Sequence, residues 1–465
     1  MKLKSLFLGA LGLSTVGIGH SQVVIDITGA TAFRAAATAS IEAAFAAGGN
    51  YSVSFSNTDI AAAATTRNNG TYQAWRGTFP GLGSAIIRTS WNGSVEGVRA
   101  LAVPNVTNNA SFIENNATNI PAPTGVSLPL VQWTFANTPL VQDAAELAFS
   151  DVAQSSTPVA GTLAGGPVGV VVFTMVASKT WRDDSASSTA GLTNVTSQQF
   201  RALAGAGSAK LSLFSGNTAD TTRVYLVGRN DGSGTRTVYL AETGFGISEP
   251  VRQYVAHDRS NTLAIPSILL TAKGGAFNFQ NVATPQYAST VWNQDIDGNG
   301  GYSSGGDIRT DLGKTTASTG VWEFADTDLS DTYEATEDAQ VVAPAKVYLL
   351  SWLTYSDART ARGAGVNPTG AAILSYNGAI LPTLSSTTLS APSTMNAADK
   401  AIVASGRYTA WSYQQLYHLN TPDTTAVFTE LSSRLNVPAV VGAAGLALSE
   451  MQSSRVSDGT VVQPN

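Results

Sequence analysis

Arg229-Asn230-Asp231-Gly232-Ser233-Gly234-Thr235 stands between an apolar run, Val224-Tyr225-Leu226-Val227, and the segment Thr237-Val238-Tyr239-Leu240-Ala241-Glu242. The apolar run reads as a buried strand, and the segment after the turn can begin a helix. A strand, a Gly-Ser-Gly turn and a helix start together make an anion site. The glycines let backbone approach a ligand closely. The first N–H groups of a helix have no partner within it and point outward. Ser233 and Thr235 add hydroxyl donors, and Arg229 adds a planar fork suited to an oxyanion. A Gly-Ser-Gly turn alone is usually only a turn; beside an Arg and an Asp it is more specific.

On either side of this block strand-like and helix-like stretches alternate, which predicts an α/β fold. Val23–Ile27 is a short β-rich run leading into Thr28-Gly29-Ala30-Thr31-Ala32-Phe33, and the Ala-rich stretch from Arg34 to Ala47 reads as a helix. Asn92-Gly93-Ser94-Val95-Glu96-Gly97 is a second turn entering a helix. Leu147-Ala148-Phe149-Ser150-Asp151 reads as a strand ending in an acid, and Val168 to Ala177 as a central buried strand. Val347 to Leu353 is a further strand, Tyr408 to Leu419 an aromatic-rich crossing segment, and Thr424 to Arg434 a helix. Residues 104–128 read as loop and the last ten residues as disordered.

Composition narrows the function. The 465 residues carry 26 basic and 32 acidic side chains, a formal charge of −6. This argues against nucleic acid as a partner, which normally requires a basic face. With no cysteine present, disulfides, a thiol nucleophile and Cys-based zinc sites are excluded. Met1-Lys2-Leu3-Lys4 followed by an apolar run and small residues reads as a secretory signal over residues 1–21, hence a periplasmic or extracellular location. No later stretch reads as a membrane span, so no membrane insertion is expected.

These blocks, in this order, resemble the periplasmic phosphate-binding proteins of ABC importers. Ile27 to Phe33 is similar to that family's first loop, Gly93 to Gly97 to its second, Ala148 to Asp151 to its aspartate block, and Arg229 to Thr235 to its Arg-x-Asp-Gly-Ser-Gly-Thr signature. The resemblance implies a two-lobed class II periplasmic-binding-protein-like fold, each lobe a mixed sheet flanked by helices, with loop insertions. Lobe one would comprise 23–171 and 409–465, and lobe two 172–408 with an insertion at about 250–345. It further implies inorganic phosphate or a similar tetrahedral oxyanion as ligand, an ABC permease as partner, and no catalysis. The implied ligand contacts are Thr31, Ala32 (or Phe33, if the loop is shifted), Ser94, Asp151, Arg229, Ser233, Gly234 and Thr235, with Asp231 orienting Arg229. An acid in an anion site is sensible if the anion carries a proton: hydrogen phosphate can donate to a carboxylate, and sulfate cannot.

Other patterns compete. Asp295, Asp297 and Asn299 occupy alternate positions before Gly300, like the start of a calcium loop, but Gly306 stands where the closing Glu belongs. A structural calcium there is the one cofactor the sequence suggests. Gly301-Tyr302-Ser303-Ser304-Gly305 has hydrolase spacing without the preceding apolar strand, and the only histidines are His20, His257 and His418. Trp352, Trp411, Tyr413 and Tyr417 read as core or crossing residues. The alternatives left open are an extracellular scaffold or adhesive protein with a vestigial anion site, and an exported hydrolase or phosphatase.

Overall fold

The computed structural model describes residues 22–56, 70–124, 130–134, 137–178, 181, 193–230, 232–253, 256–258, 268–271, 277–278, 305–313, 321–324, 346–366, 370–391, 393–442 and 445–465. The signal segment, Asp231, the Asp295/Asp297/Asn299 triplet and Ser303 lie outside them, as does most of the 250–345 insertion.

β1 (Val23–Gly29) runs parallel to both β4 (Gly83–Ser90) and β8 (Leu147–Ser150). β3 (Tyr72–Phe79) joins β4 to β2 (Tyr51–Ser56), antiparallel to each. β6 (Leu130–Trp133) pairs parallel with β2, and β5 (Ala110–Ile113) and β7 (Leu140–Asp143) form a separate two-stranded ribbon. Beyond β8 the strand Trp411–His418 is inserted, antiparallel to both β8 and the first part of β9 (Ala164–Ala177). α1 (Arg34–Gly48) packs on β3 and on the helix Pro422–Leu435, while α2 (Ser94–Ala102) packs on β8 and β1.

β9 belongs to two sheet regions. Its residues 164–172 pair with Trp411–His418, whereas Phe173–Ala177 pair with the strands Lys346–Thr354 and Ala372–Tyr376. Arg223–Leu226 lies parallel to Lys346–Thr354 on the far side and completes the centre of the second region. Val170 through Ala177 are at most 1% exposed, so both faces of this strand are covered, which is why it reads as an unbroken β-branched run. The result is a two-lobed α/β architecture threaded by one strand.

Two local expectations are corrected. Residues 104–128 are not all loop: β5 forms there because Phe112 and Ile113 are fully buried. The last ten residues are not disordered: Ser453–Ser454 pair antiparallel with Gln463–Pro464. That hairpin is held by charged and backbone contacts, which leave no apolar periodicity to read.

The aromatic-rich segment returns the chain to the first sheet region. Trp352, Trp411 and Tyr417 are buried, in keeping with a core role. Among the described residues no helix is long and apolar enough to cross a membrane.

Candidate functional site

Two helix starts meet where the two sheet regions face each other. α2 begins at Ser94, after Gly93 at φ +126°. A second helix, Gly234–Glu242, begins after Ser233, whose side chain caps it by accepting from the Arg236 N–H. Ser at this position satisfies one of the helix's unpaired donors. The strand Arg223–Leu226 leads to the turn, and Arg229 sits on the path between them, 3% exposed. Its backbone carbonyl accepts from Gln253 Nε2 at 2.6 Å, and Gln253 Oε1 in turn accepts from the Tyr239 hydroxyl. That buried amide and phenol fix the backbone from which the guanidinium projects.

The contact between the two starts is close. Val95 N–H donates to the Gly232 carbonyl at 3.0 Å, and a Cβ on Gly93 would lie 2.6 Å from the same oxygen. Glycine at 93 is therefore required twice, by its φ and by the approach. Glu96, on the first turn of α2, lies against Gly232 and pairs with Arg99 at 2.7 Å.

Asp151 follows β8 directly and points into this junction. It is 2% exposed. Ser94 Oγ donates to its carboxylate, and the Asp151 N–H donates back to Ser94 Oγ at 3.2 Å. A Cβ on Gly234 would stand 2.5 Å from Ser94 Oγ and 2.6 Å from Asp151 Cγ. Burial pushes the Asp151 carboxyl up to about 6, opposed by the hydrogen bond from Ser94 and by the positive charge of Arg229. The carboxylate thus feels Arg229 across the junction, in a desolvated setting where such interactions are strong.

The structure brings Ser94, Asp151, Arg229, Ser233, Gly234 and Thr235 together; all are at most 5% exposed apart from Gly234, which is also buried. The first loop is less closely engaged. Its backbone is locked beside the site: Gly93 N–H donates to the Gly29 carbonyl at 2.9 Å, and Ala30 N–H to the Phe149 carbonyl at 2.9 Å. Thr31 and Ala32 begin a short 3-10 turn and are half-buried. Among the described residues no hydrogen bond joins either to Ser94 or Asp151. The Phe33 side chain is wholly in the core, its ring 6.2 Å from that of Phe149.

Three nearby residues escaped the sequence reading. Thr28 Oγ1 donates to Asn92 Oδ1 at 2.9 Å and ties the first loop to the second. Arg236, 6% exposed, lies on the helix that starts at Gly234. Asp458 accepts from the Ala153 N–H at 2.9 Å, on the loop that carries Asp151. Thr28 is a polar residue at the end of β1 and Arg236 one in the first turn of a helix, weak signals both; nothing local marks Asp458.

Chemically, the junction offers two helix starts, with the Val95 N–H taken by Gly232 and the Arg236 N–H by Ser233, three hydroxyls, a buried guanidinium and one carboxylate. That set fits a protonated oxyanion. Among the described residues no group of three or more His, Cys, Asp or Glu is placed to hold a metal ion. His418 is buried, with Nδ1 2.8 Å from the Leu419 carbonyl and its ring stacked on Phe428.

No family model matches the chain, and no curated protein sequence does. Solved structures do match. A phosphate ABC transporter substrate-binding protein with bound phosphate from Clostridium perfringens aligns at 9% identity and TM-score 0.37, covering 91% of this chain and 99% of that one. An ABC-type phosphate transport receptor from Vibrio cholerae aligns at 10% identity and TM-score 0.34, covering 88% and 93%. A possible phosphate binding protein from Planctomyces limnophilus aligns at 10% identity and TM-score 0.35, covering 92% and 95%. Likeness at this level leaves the assignment of a ligand to the site itself.

Proposed function

We propose that this protein is a non-catalytic receptor for inorganic phosphate, exported by its N-terminal segment and serving as the substrate-binding component of an ABC importer. Lobe one would comprise 23–171 and 409–465, and lobe two 172–408. The observation that carries the reading is Asp151: a buried carboxylate between two helix starts, within the field of a buried arginine.

Hydrogen phosphate would lie between α2 and the Gly234–Glu242 helix. The outward N–H groups around Gly234 and Thr235 would bind its oxygens, together with the hydroxyls of Ser94, Ser233 and Thr235. Arg229 would carry the counter-charge. The phosphate O–H would donate to Asp151, which is ionised above about pH 6. Sulfate has no proton to give at neutral pH, and a buried carboxylate facing it would cost several kcal/mol. Thr31 and Ala32 would add backbone or hydroxyl donors from the first loop, and Asp231 would orient Arg229. Donors from both lobes converge only when these are docked, so ligand stabilises the docked arrangement.

Arg229→Ala tests the reading. A charge-assisted hydrogen bond contributes roughly 1.5–3 kcal/mol, so calorimetric titration should show phosphate affinity falling at least about tenfold. Undiminished binding by a folded Arg229→Ala variant would remove the site assignment.

A further inference from the structure

The chain's last hairpin lies behind the anion site and touches both lobes. Arg455 is buried, and its Nη1 pairs with Glu242 Oε2 at 3.0 Å. Glu242 is the last residue of the helix whose first turn forms the cradle. That helix belongs with the second sheet region: it packs on the strand Lys346–Thr354, and the Glu242 carbonyl accepts from the Tyr376 hydroxyl at 3.1 Å. Arg455 Nη2 also donates to the Thr409 carbonyl at 2.5 Å, and the guanidinium lies 4.3 Å over the Trp411 ring, at the start of the strand that enters the first sheet region. Three residues on, Asp458 reaches the other way. Its Oδ2 accepts from Ala153 N–H, and Ser156 bonds the same carboxylate. Ala153 is two residues past Asp151.

Between these two grips the backbone turns, with Thr460 N–H donating to the Ser457 carbonyl at 3.2 Å. Gly459 sits at φ +72° against the end of the Gly234–Glu242 helix; a Cβ there would lie 2.5 Å from the Ala241 carbonyl carbon and 2.9 Å from Ala241 Cβ. The hairpin is closed by Ser453–Ser454 against Gln463–Pro464 and anchored by Ser453 Oγ to the Ala404 carbonyl at 3.0 Å.

We propose that Arg455 and Asp458 are positioning residues for the anion site, and that residues 455–460 form a strap holding the Asp151 loop and the Gly234–Glu242 helix in register. The strap does not touch the ligand position. It grips the helix at the end opposite the cradle and the loop just beyond its acid. A helix of nine residues is about 13 Å long and moves as a rigid body, so a shift at Glu242 becomes a shift at Gly234. Because one grip lies on each lobe, the strap favours the docked arrangement before ligand arrives and lowers what ligand must contribute to docking. The consequence for phosphate rests on the receptor reading above; the effect on lobe docking does not.

The test uses the full chain, whose lack of cysteine permits selective labelling. Spin labels at Val106→Cys in lobe one and Lys210→Cys in lobe two report lobe separation in phosphate-stripped protein. The parent should give a narrow distance distribution, and Arg455→Met, Asp458→Asn and Gly459→Ala should each broaden it and shift it to longer distance. With inorganic phosphate as the probe, dissociation should quicken about ten- to 100-fold, the scale of ordinary coupling between sites, while association stays within about threefold. Arg455→Lys should restore part of the effect, and Arg455→Met combined with Glu242→Gln should do no more than either alone. Gly459→Ala lifts the strap without removing a charge and serves if Arg455→Met does not fold. A lower melting temperature with unchanged distances and unchanged phosphate release overturns the proposal. Failure of the parent to bind phosphate, with distances still responding to the strap, overturns the receptor reading and leaves the strap standing.

Discussion

Gly234→Ala isolates the docking of the two lobes from the folding of either. The added methyl would overlap Asp151 Oδ1 outright and stand 2.5 Å from Ser94 Oγ, both in the first sheet region. Ordinary non-bonded separation is about 3.5 Å or more, so one side must retreat by about 2 Å. Neither neighbour is a loose side-chain end, since Ser94 and Asp151 hold one another in a buried pair. Overpacking of this kind costs about 1–3 kcal/mol, which converts to roughly a 5- to 150-fold loss of phosphate affinity. The helix itself opposes the loss: alanine is a better helix former than glycine by up to about 1 kcal/mol, so local unfolding is not the cause. Gly166→Ala is the control, because a Cβ there meets nothing within 4 Å. Calorimetric titration of the stripped proteins reads the difference. Parent-like affinity in Gly234→Ala, or an equal loss in Gly166→Ala, would refute the reasoning.

Three further outcomes are expected. Burial raises the Asp151 carboxyl from 3.8 to about 6, so its contribution to stability is full below about pH 3.8 and lost as pH rises through 6. The difference is on the order of 3 kcal/mol; ligand-free Asp151→Asn should therefore melt above the parent at pH 7.5, with the gap closing near pH 4. The same protonation turns Asp151 into a donor, so sulfate binding by the parent should strengthen below about pH 6, read by titration across pH. Between β1 and β4, Arg88 pairs with Asp26 at 2.5 Å and, beyond them, with Asp143 at 2.8 Å, with Arg88 and Asp26 both buried. Arg88→Met strands the Asp26 carboxylate and should cost about 3–5 kcal/mol of stability, measured by denaturant unfolding with phosphate absent.

What could be read from the sequence follows from the range of the interactions. The continuous β-branched run Val168–Ala177, the acid after Leu147–Ser150 and the glycine turns before Ser94 and Gly234 carry their own local cause, and each stands where its pattern places it. The partition of β9 between two sheet regions was not legible in the run itself, because a fully buried run looks alike whichever strands flank it; only the family resemblance put a boundary inside it, at 171/172. The docking of Gly232 against Val95 joins residues far apart in the chain through backbone groups that leave no compositional trace. Arg455 and Asp458 were missed for the same reason. They act across 213 residues to Glu242 and 305 residues to Ala153, from a polar segment whose composition resembles a loose tail.

Calorimetric titration of refolded, phosphate-stripped protein at pH 7.5, with phosphate and then with sulfate, addresses the central claim most directly. Micromolar or tighter phosphate binding with one site per chain and little response to sulfate is expected. Folded protein that binds neither anion, or binds both equally, would contradict it.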